Sequence, residues 1–143
     1  MSKVTTEKLE EFINGKLKED LKYYEQHLQQ LTAENLEYTQ LKHQITTIKT
    51  LPGDSFKTQV NIGGDFFMQA KVPSKETILV NIGLNVFVEF TLDEALKFAQ
   101  MKINILDKQA EIVRDEVCRI KAHIKLCLLA MGDKTQLLRN KEL

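Results

Sequence analysis

The stretches VNIGGDFFMQAKVP (residues 60–73) and ILVNIGLNVFVEFTLDEALKF (residues 78–98) decide the fold of this chain. Apolar residues alternate with polar ones along both, which is the period of strands that bury one face. Gly63-Gly64 and residues 83–85 offer positive-φ turns inside the two stretches. The sequence therefore predicts two β-hairpins within residues 56–90.

The apolar residues of these hairpins share one face, while polar residues such as Lys57, Gln59 and Glu89 lie on the other. Each large side chain contributes roughly 1.5–3 kcal/mol when buried, so a soluble chain does not leave such a face exposed. Because the helices described next are expected to pack on each other, we expect a sheet of another chain to cover it. The predicted assembly residues are Val60, Ile62, Phe66, Met68, Val72, Ile78, Val80, Ile82, Val86, Val88 and Phe90.

Long amphipathic helices flank the hairpins. Heptad spacing predicts a first helix over residues 5–50, which Pro52-Gly53 ends, with a weaker repeat at Glu34 and Asn35. Thr91 to Glu94 forms a capping box, which predicts a second helix over residues 92–131. The predicted seam of an antiparallel coiled coil comprises Leu17, Leu21, Tyr24, Leu28 and Leu31 on the first helix, and Ile103, Leu106, Val113, Val117, Ile120 and Ile124 on the second.

An antiparallel pair brings the start of the first helix and the end of the second together at one tip. Several apolar residues there are candidates for contact with a client protein, because exposed apolar surface is what an unfolded chain binds. They could instead widen the seam or pack on a neighbouring subunit, and the sequence leaves both interpretations open. These tip residues are Leu9, Phe12, Ile13, Leu126 and Leu129.

Composition limits the remaining classes of function. The 143 residues predict a single domain over 1–143, with a C-terminal extension at 133–143. Twenty basic and twenty acidic residues give no net charge, so neither nucleic acid nor a membrane surface is an expected partner. Cys118 and Cys127 cannot bridge within one helix, which favours a reducing compartment, cytoplasmic or nuclear.

No catalytic, cofactor or metal site is predicted. The three histidines, at 27, 43 and 123, have no ligand set at metal-binding spacing, and no base is placed to activate either cysteine. Gly63-Gly64 lacks the lysine and further glycines of a phosphate-binding loop. We therefore expect a protein that is not an enzyme and needs no cofactor.

The order of long helix, two hairpins and long helix resembles an alpha-type prefoldin subunit, and the two stretches quoted first are similar to the hairpins and second-helix entry of that family. GGDFF (63–67), TLDEALKF (91–98) and IKAHI (120–124) are similar to one member in particular. The resemblance implies an α+β fold, in which a long antiparallel two-helix coiled coil is joined by two hairpins that contribute to an oligomeric β-barrel.

The resemblance also implies a function. Prefoldin-type subunits, alpha and beta, form a hetero-hexamer that holds unfolded client proteins at the tips of its coiled coils without nucleotide. We expect this chain to be such a subunit of a prefoldin or prefoldin-like co-chaperone. The alternative is a coiled-coil adaptor, for example a transcription cofactor scaffold, that tethers regulatory proteins and holds no clients.

Overall fold

The computed structural model describes the backbone of residues 2–139 and the side chains of residues 6–132. Two long helical stretches flank two hairpins, so the predicted α+β arrangement is confirmed. Packing divides the chain into two compact units, one formed by residues up to 33 and from 106 onward, the other by residues 34–105. The elements are α1 (Ser2–Phe12), a π-helical turn (Ile13–Leu17), α2 (Lys18–Thr50), β1 (Phe56–Gly63), β2 (Phe66–Val72), β3 (Thr77–Gly83), β4 (Val86–Thr91) and α3 (Leu92–Arg139).

In the first unit, the start of the first helical stretch packs antiparallel to the later part of α3. Ile13, Leu17 and Ile120 form its buried cluster. The Lys121 ammonium lies 2.8 Å from the Glu25 carboxylate across the two helices. Both partners of this ion pair are exposed, so apolar burial stabilises the pair of helices more than the charges do. Half-buried Leu21, Tyr24, Ile124, Cys127 and Met131 pack against the cluster.

A π-helical turn changes the register of the first helical stretch. Its signature is the hydrogen bond that the Lys18 N–H donates to the Ile13 carbonyl, five residues earlier. Continuing the heptads back from Leu17 would place Asn14 and Glu10 in the seam. The turn absorbs one extra residue, so buried Ile13 takes the seam position and the polar residues stay outside.

The second unit combines the end of α2, the start of α3 and the second hairpin. Ile45, Val80 and Ala95 form its buried cluster, one residue from each part. Ala95 and Ala99 are fully buried. The small side chain of Ala95 leaves room for Val80 of the sheet to approach α3. Lys49 pairs with Asp93 at 2.5 Å, which links the end of α2 to the first turn of α3.

The two hairpins repeat one design. The sequence V-N-I-G begins at Val60 and again at Val80. In each copy the asparagine pairs across the hairpin with the phenylalanine six residues further on, Asn61 with Phe67 and Asn81 with Phe87. The asparagine Oδ1 accepts a hydrogen bond from the glycine N–H two residues on, at 2.8 Å in the first hairpin and 2.9 Å in the second.

Both turns use the same left-handed backbone. Positive φ occurs at three successive residues, 63–65 in the first hairpin and 83–85 in the second. Glycine occupies the first position of each triplet and relieves steric strain there. Leu84 adopts φ +51° in the second turn, a conformation that a residue with a Cβ rarely takes.

The second long helix continues further than the sequence indicated. Helix α3 runs to Arg139, whereas the predicted helix ends at residue 131. Gly132 does not end it, since one glycine costs a helix only about 1 kcal/mol and no proline follows. None of the helices in the described part of the chain is long and apolar enough to cross a membrane.

Candidate functional site

Part of the apolar face of the second hairpin, which was predicted as assembly surface, packs on helices of its own chain. Val80 is only 3% exposed and packs on Ile45 and Ala95 of the same chain. Ile78 and Phe90 pack against this cluster as well. From the sequence, the two helices were expected to pack only on each other. Beside β3, however, they pack both on each other and on the sheet. Val80, Ile78 and Phe90 therefore belong to the core of the subunit.

The first hairpin, by contrast, leaves its apolar face exposed. Its predicted assembly residues Val60, Ile62, Phe66 and Met68 are all exposed, with Val60 at 47% although it repeats the position of Val80. Val60 and Met68 are cross-strand neighbours, so they present one apolar surface. No helix of the described chain covers this surface. The remaining predicted assembly residues divide between exposed Val86 and half-buried Val72, Ile82 and Val88.

Each hairpin also carries an aromatic side chain on its polar face, which sequence reasoning missed. Phe67 is 61% exposed and Phe87 is 60% exposed. Alternation along the strand places Phe67 on the same face as Lys57 and Lys71, which pair directly across the hairpin. The signal was present in the repeated V-N-I-G motif, since aligning the two copies superposes these two phenylalanines.

A groove lies between α2 and the edge of β3. It has a volume of 440 Å³, and its lining includes residues of β3 but none of β4. Burial, together with the neighbouring charges of Glu34 and Glu37, raises the pKa of Tyr38 above its ordinary value. The Tyr38 ring also meets Phe98 edge-on at 6.2 Å. The groove is lined by Glu34, Glu37, Tyr38, Leu41, Leu79, Val80, Asn81 and Gly83.

The helix ends retain part of the predicted client-contact surface. Phe12, Leu126 and Leu129 are exposed, and Leu128, which sequence reasoning omitted, is exposed beside them. The packing of Ile13 on Ile120, with Cys127 and Met131 against that cluster, brings these two chain segments to the same end of the first unit.

Two predicted tip residues are not free surface. Ile13 is buried, so its assignment to client contact is wrong, and the π-helical turn is the physical reason. Leu9 is half-buried, in agreement with the wider-seam interpretation. We keep the name tip surface for the four exposed residues Phe12, Leu126, Leu128 and Leu129.

The predicted seam residues divide by depth. Six are buried, namely Leu17, Leu31, Leu106, Val113, Val117 and Ile120. Five are half-buried, namely Leu21, Tyr24, Leu28, Ile103 and Ile124. Within the side chains that the structure describes, no group of three or more histidine, cysteine, aspartate or glutamate residues could hold a metal ion. The exposed apolar residues of the first hairpin and of the tip surface offer apolar contact, and the unpaired strand edges offer strand pairing.

The comparisons with known proteins agree with this architecture. The family model described as prefoldin subunit matches residues 17–136. By fold, the chain is similar to a chain in the cryo-EM structure of filamentous PFD from Methanocaldococcus jannaschii, with a TM-score of 0.66 and 20% identity, covering 80% of this chain and 93% of that one. This chain belongs to the prefoldin family.

Within the family the similarity is to UXT proteins, as the three short stretches indicated. The chain is 38% identical over 123 residues to the protein UXT homolog of Nematostella vectensis, covering 85% of this chain and 77% of that protein. It is 32% identical over 119 residues to protein UXT of Homo sapiens, covering 83% of this chain and 76% of the human protein. It is thus a UXT-like member of the prefoldin family.

Proposed function

We propose that this chain is a non-enzymatic subunit of a hetero-hexameric prefoldin or prefoldin-like co-chaperone in a reducing compartment, cytoplasmic or nuclear. It assembles with other prefoldin-type subunits through its hairpins and holds unfolded proteins at its tip surface. One observation carries the assembly role, namely the first hairpin, whose apolar surface of Val60, Ile62, Phe66 and Met68 is left uncovered by the described chain.

Isolated two-stranded hairpins are marginally stable in water, so the first hairpin gains stability from a covering sheet. The second hairpin already has its cover in α2 and α3. Partner subunits that complete a barrel would supply both unpaired strand edges and apolar side chains to the first hairpin. The first hairpin is therefore the main assembly element, with the exposed edges of the second in support.

Assembly is tested by co-purification of the chain with its other prefoldin-type subunits. Val60→Asp combined with Met68→Asp places charge on the apolar surface of the first hairpin, and we expect the partners to be lost while helical circular dichroism remains. Leu36→Asp is the matched control, because Leu36 is an exposed apolar residue of α2. Retention of every partner by the double variant would refute the assembly role.

Client holding is tested with the assembled complex and a guanidinium-unfolded protein, by following light scattering. Wild-type complex should suppress aggregation, and Leu126→Ser with Leu129→Ser should weaken that suppression. Leu36→Ser controls for loss of any exposed leucine. If the wild-type complex leaves aggregation unchanged at stoichiometric excess, the holding role fails and the adaptor or transcription cofactor scaffold is favoured.

A further inference from the structure

Asn14 and Gly15 form a chemically reactive pair inside the π-helical turn. Asn14 is the only asparagine of the sequence that glycine follows. After every other asparagine comes leucine, isoleucine, valine or lysine, whose side chain hinders access to its own backbone nitrogen. Glycine offers no such hindrance, and a Cβ built on Gly15 would meet no atom within 4 Å. The Gly15 nitrogen is therefore the least hindered nucleophile beside an asparagine amide in this chain.

A lysine side chain is placed to activate the Asn14 amide. The Lys18 ammonium donates a hydrogen bond to Asn14 Oδ1 at 2.6 Å, and both side chains are exposed. Attack of a nucleophile on the side-chain carbonyl carbon of Asn14 puts negative charge on Oδ1. A cation held against that oxygen stabilises the charge, as hydrogen-bond donors do for the oxyanion of an acyl transfer. The turn thus holds a nucleophile, an electrophile and an oxyanion donor within five residues.

The backbone around this pair opens easily. A closed helix holds the Gly15 nitrogen away from the Asn14 side chain, so the two groups meet through local opening. Helix α1 has 11 residues, fewer than the roughly 12–15 that an isolated helix needs in water. A π-helical turn and a glycine inside a helix both weaken it further. Of the described side chains from residue 6 to residue 13, only that of Ile13 is buried, so little packing opposes the opening.

We propose that Asn14 is a site of spontaneous deamidation, with the Gly15 nitrogen as nucleophile and Lys18 as the group that stabilises the oxyanion. The Gly15 nitrogen gives its proton to solvent and bonds the side-chain carbonyl carbon of Asn14. The bond from that carbon to Nδ2 breaks, and Nδ2 takes a proton from solvent and leaves as ammonia. Water then opens the succinimide ring. Opening at the side-chain carbonyl gives aspartate, and opening at the backbone carbonyl gives isoaspartate, so one water is consumed and one ammonia released without oxidation or reduction.

The isoaspartyl product releases α1 from α3. Its backbone runs through Cβ, so the main chain gains one carbon between Ile13 and Leu17. These two residues form one buried cluster with Ile120 of α3, and both can reach it only at their helical spacing. The aspartate product changes no backbone atom and keeps an acceptor for Lys18. Isoaspartate at this position therefore separates exposed Phe12 from the rest of the tip surface, whereas aspartate does not.

The reaction is tested on the full chain, incubated at physiological temperature and mildly alkaline pH, by peptide mapping with tandem mass spectrometry. Asn14 should deamidate several-fold faster than Asn85, which is exposed in the second turn but precedes valine. Gly15→Ala should slow the reaction roughly fivefold or more, because alanine favours the closed helix by about that factor and adds a hindering Cβ. Equal rates at Asn14 and Asn85 would overturn the site, as would an unchanged rate in the alanine variant.

The role of the lysine is tested by the same measurement. Lys18→Gln should slow deamidation of Asn14 several-fold, and Lys18→Arg, which keeps the charge, should retain most of the wild-type rate. Lys22→Gln is the matched control, because Lys22 is an exposed lysine one turn further along α2. Circular dichroism checks that each variant is folded. A wild-type rate in Lys18→Gln, or an equal loss in Lys22→Gln, would overturn the assignment of Lys18.

Amide hydrogen exchange tests the release of α1. The isoaspartyl form is separated by ion exchange and identified by its methylation with an isoaspartate methyltransferase. It should lose protection throughout α1 while α2 keeps it. Asn14→Asp carries the same charge without the extra backbone carbon and should protect α1 as wild type does. Equal protection of α1 in the isoaspartyl form and in Asn14→Asp would overturn the release.

Discussion

Thr91 and Glu94 cap helix α3 reciprocally. The Glu94 N–H donates to the Thr91 hydroxyl at 3.4 Å, and the Glu94 carboxylate accepts from the Thr91 N–H at 2.9 Å. The capping box read from the sequence is thereby confirmed, and it fixes where the second hairpin ends and α3 begins. This junction lies beside Ala95, which is fully buried against the sheet.

Replacing the capping threonine should destabilise the protein. Thr91→Ala removes a side-chain acceptor for an unpaired helix N–H, and we expect a loss of about 1 kcal/mol in the free energy of unfolding. Chemical denaturation followed by circular dichroism measures it. The control is Thr39→Ala, since the Thr39 hydroxyl bonds the Asn35 carbonyl within α2 and alanine favours a helix interior. Equal losses for both variants would contradict the capping role.

The same cap predicts a pH dependence. Hydrogen bonds from the backbone and hydroxyl of Thr91 lower the pKa of Glu94 below its ordinary value of 4.5. A carboxyl whose folded pKa is depressed stabilises the fold above the unfolded pKa and loses that effect as pH falls through the folded value. The stability advantage of wild type over Glu94→Gln should therefore be complete at neutral pH and shrink below pH 4.5. A stability difference between wild type and Glu94→Gln that stays constant from neutral pH to below pH 4.5 would refute this role of the Glu94 carboxylate.

The repeated valines should respond differently to charge. Val80→Asp buries a carboxylate in the core, so the second unit should lose its cooperative thermal transition. Val60→Asp changes the matching position of the first hairpin, which is exposed, and should leave that transition almost unchanged. Thermal melts of the isolated chain compare the two. Similar melts for both variants would contradict the placement of Val80.

The π-helical turn should tolerate loss of its extra residue. Deleting Gly15 lets an uninterrupted α-helix place Ile13 three residues before Leu17, which the seam accepts, so stability should be retained or rise. Deleting Gln29 from the regular part of α2 shifts every earlier seam residue by one position and should destabilise strongly. Chemical denaturation gives the denaturant midpoint of each deletion variant. A larger loss of stability for the Gly15 deletion than for the Gln29 deletion would contradict this account.

Relieving the strained turn should stabilise the second hairpin. Leu84 has φ +51° and is 99% exposed, so its side chain packs on nothing that would offset the strain. Leu84→Gly should raise the free energy of unfolding by about 1 kcal/mol. Leu84→Ala keeps the Cβ and removes only the exposed apolar atoms, so it should change little. An equal gain from alanine would indicate that strain is not the cause.

Periodicity explains why most of the fold could be predicted. Heptads, alternation, the Pro52-Gly53 stop and the Thr91 cap are all local signals. The elements lie where these signals indicated, except for the π-helical turn (Ile13–Leu17) and the end of α3 at Arg139. The assembly surface was harder, since Val60 and Val80 have the same local sequence and only tertiary packing separates them. Ile13 was missed although the heptads carry a trace of the π-helical turn, because continuing them back from Leu17 places polar Asn14 in the seam and so marks a break in register.

The uncovered first hairpin has a thermodynamic consequence. In the proposed assembly, ordering this marginally stable hairpin and docking it onto a partner are linked, so the assembly affinity would include the entropy lost in ordering β1 and β2. A substitution that merely pre-organised the turn at residues 63–65 would therefore tighten assembly without touching the partner. In the proposed assembly, affinity would thus be set in part at a turn that no partner needs to contact.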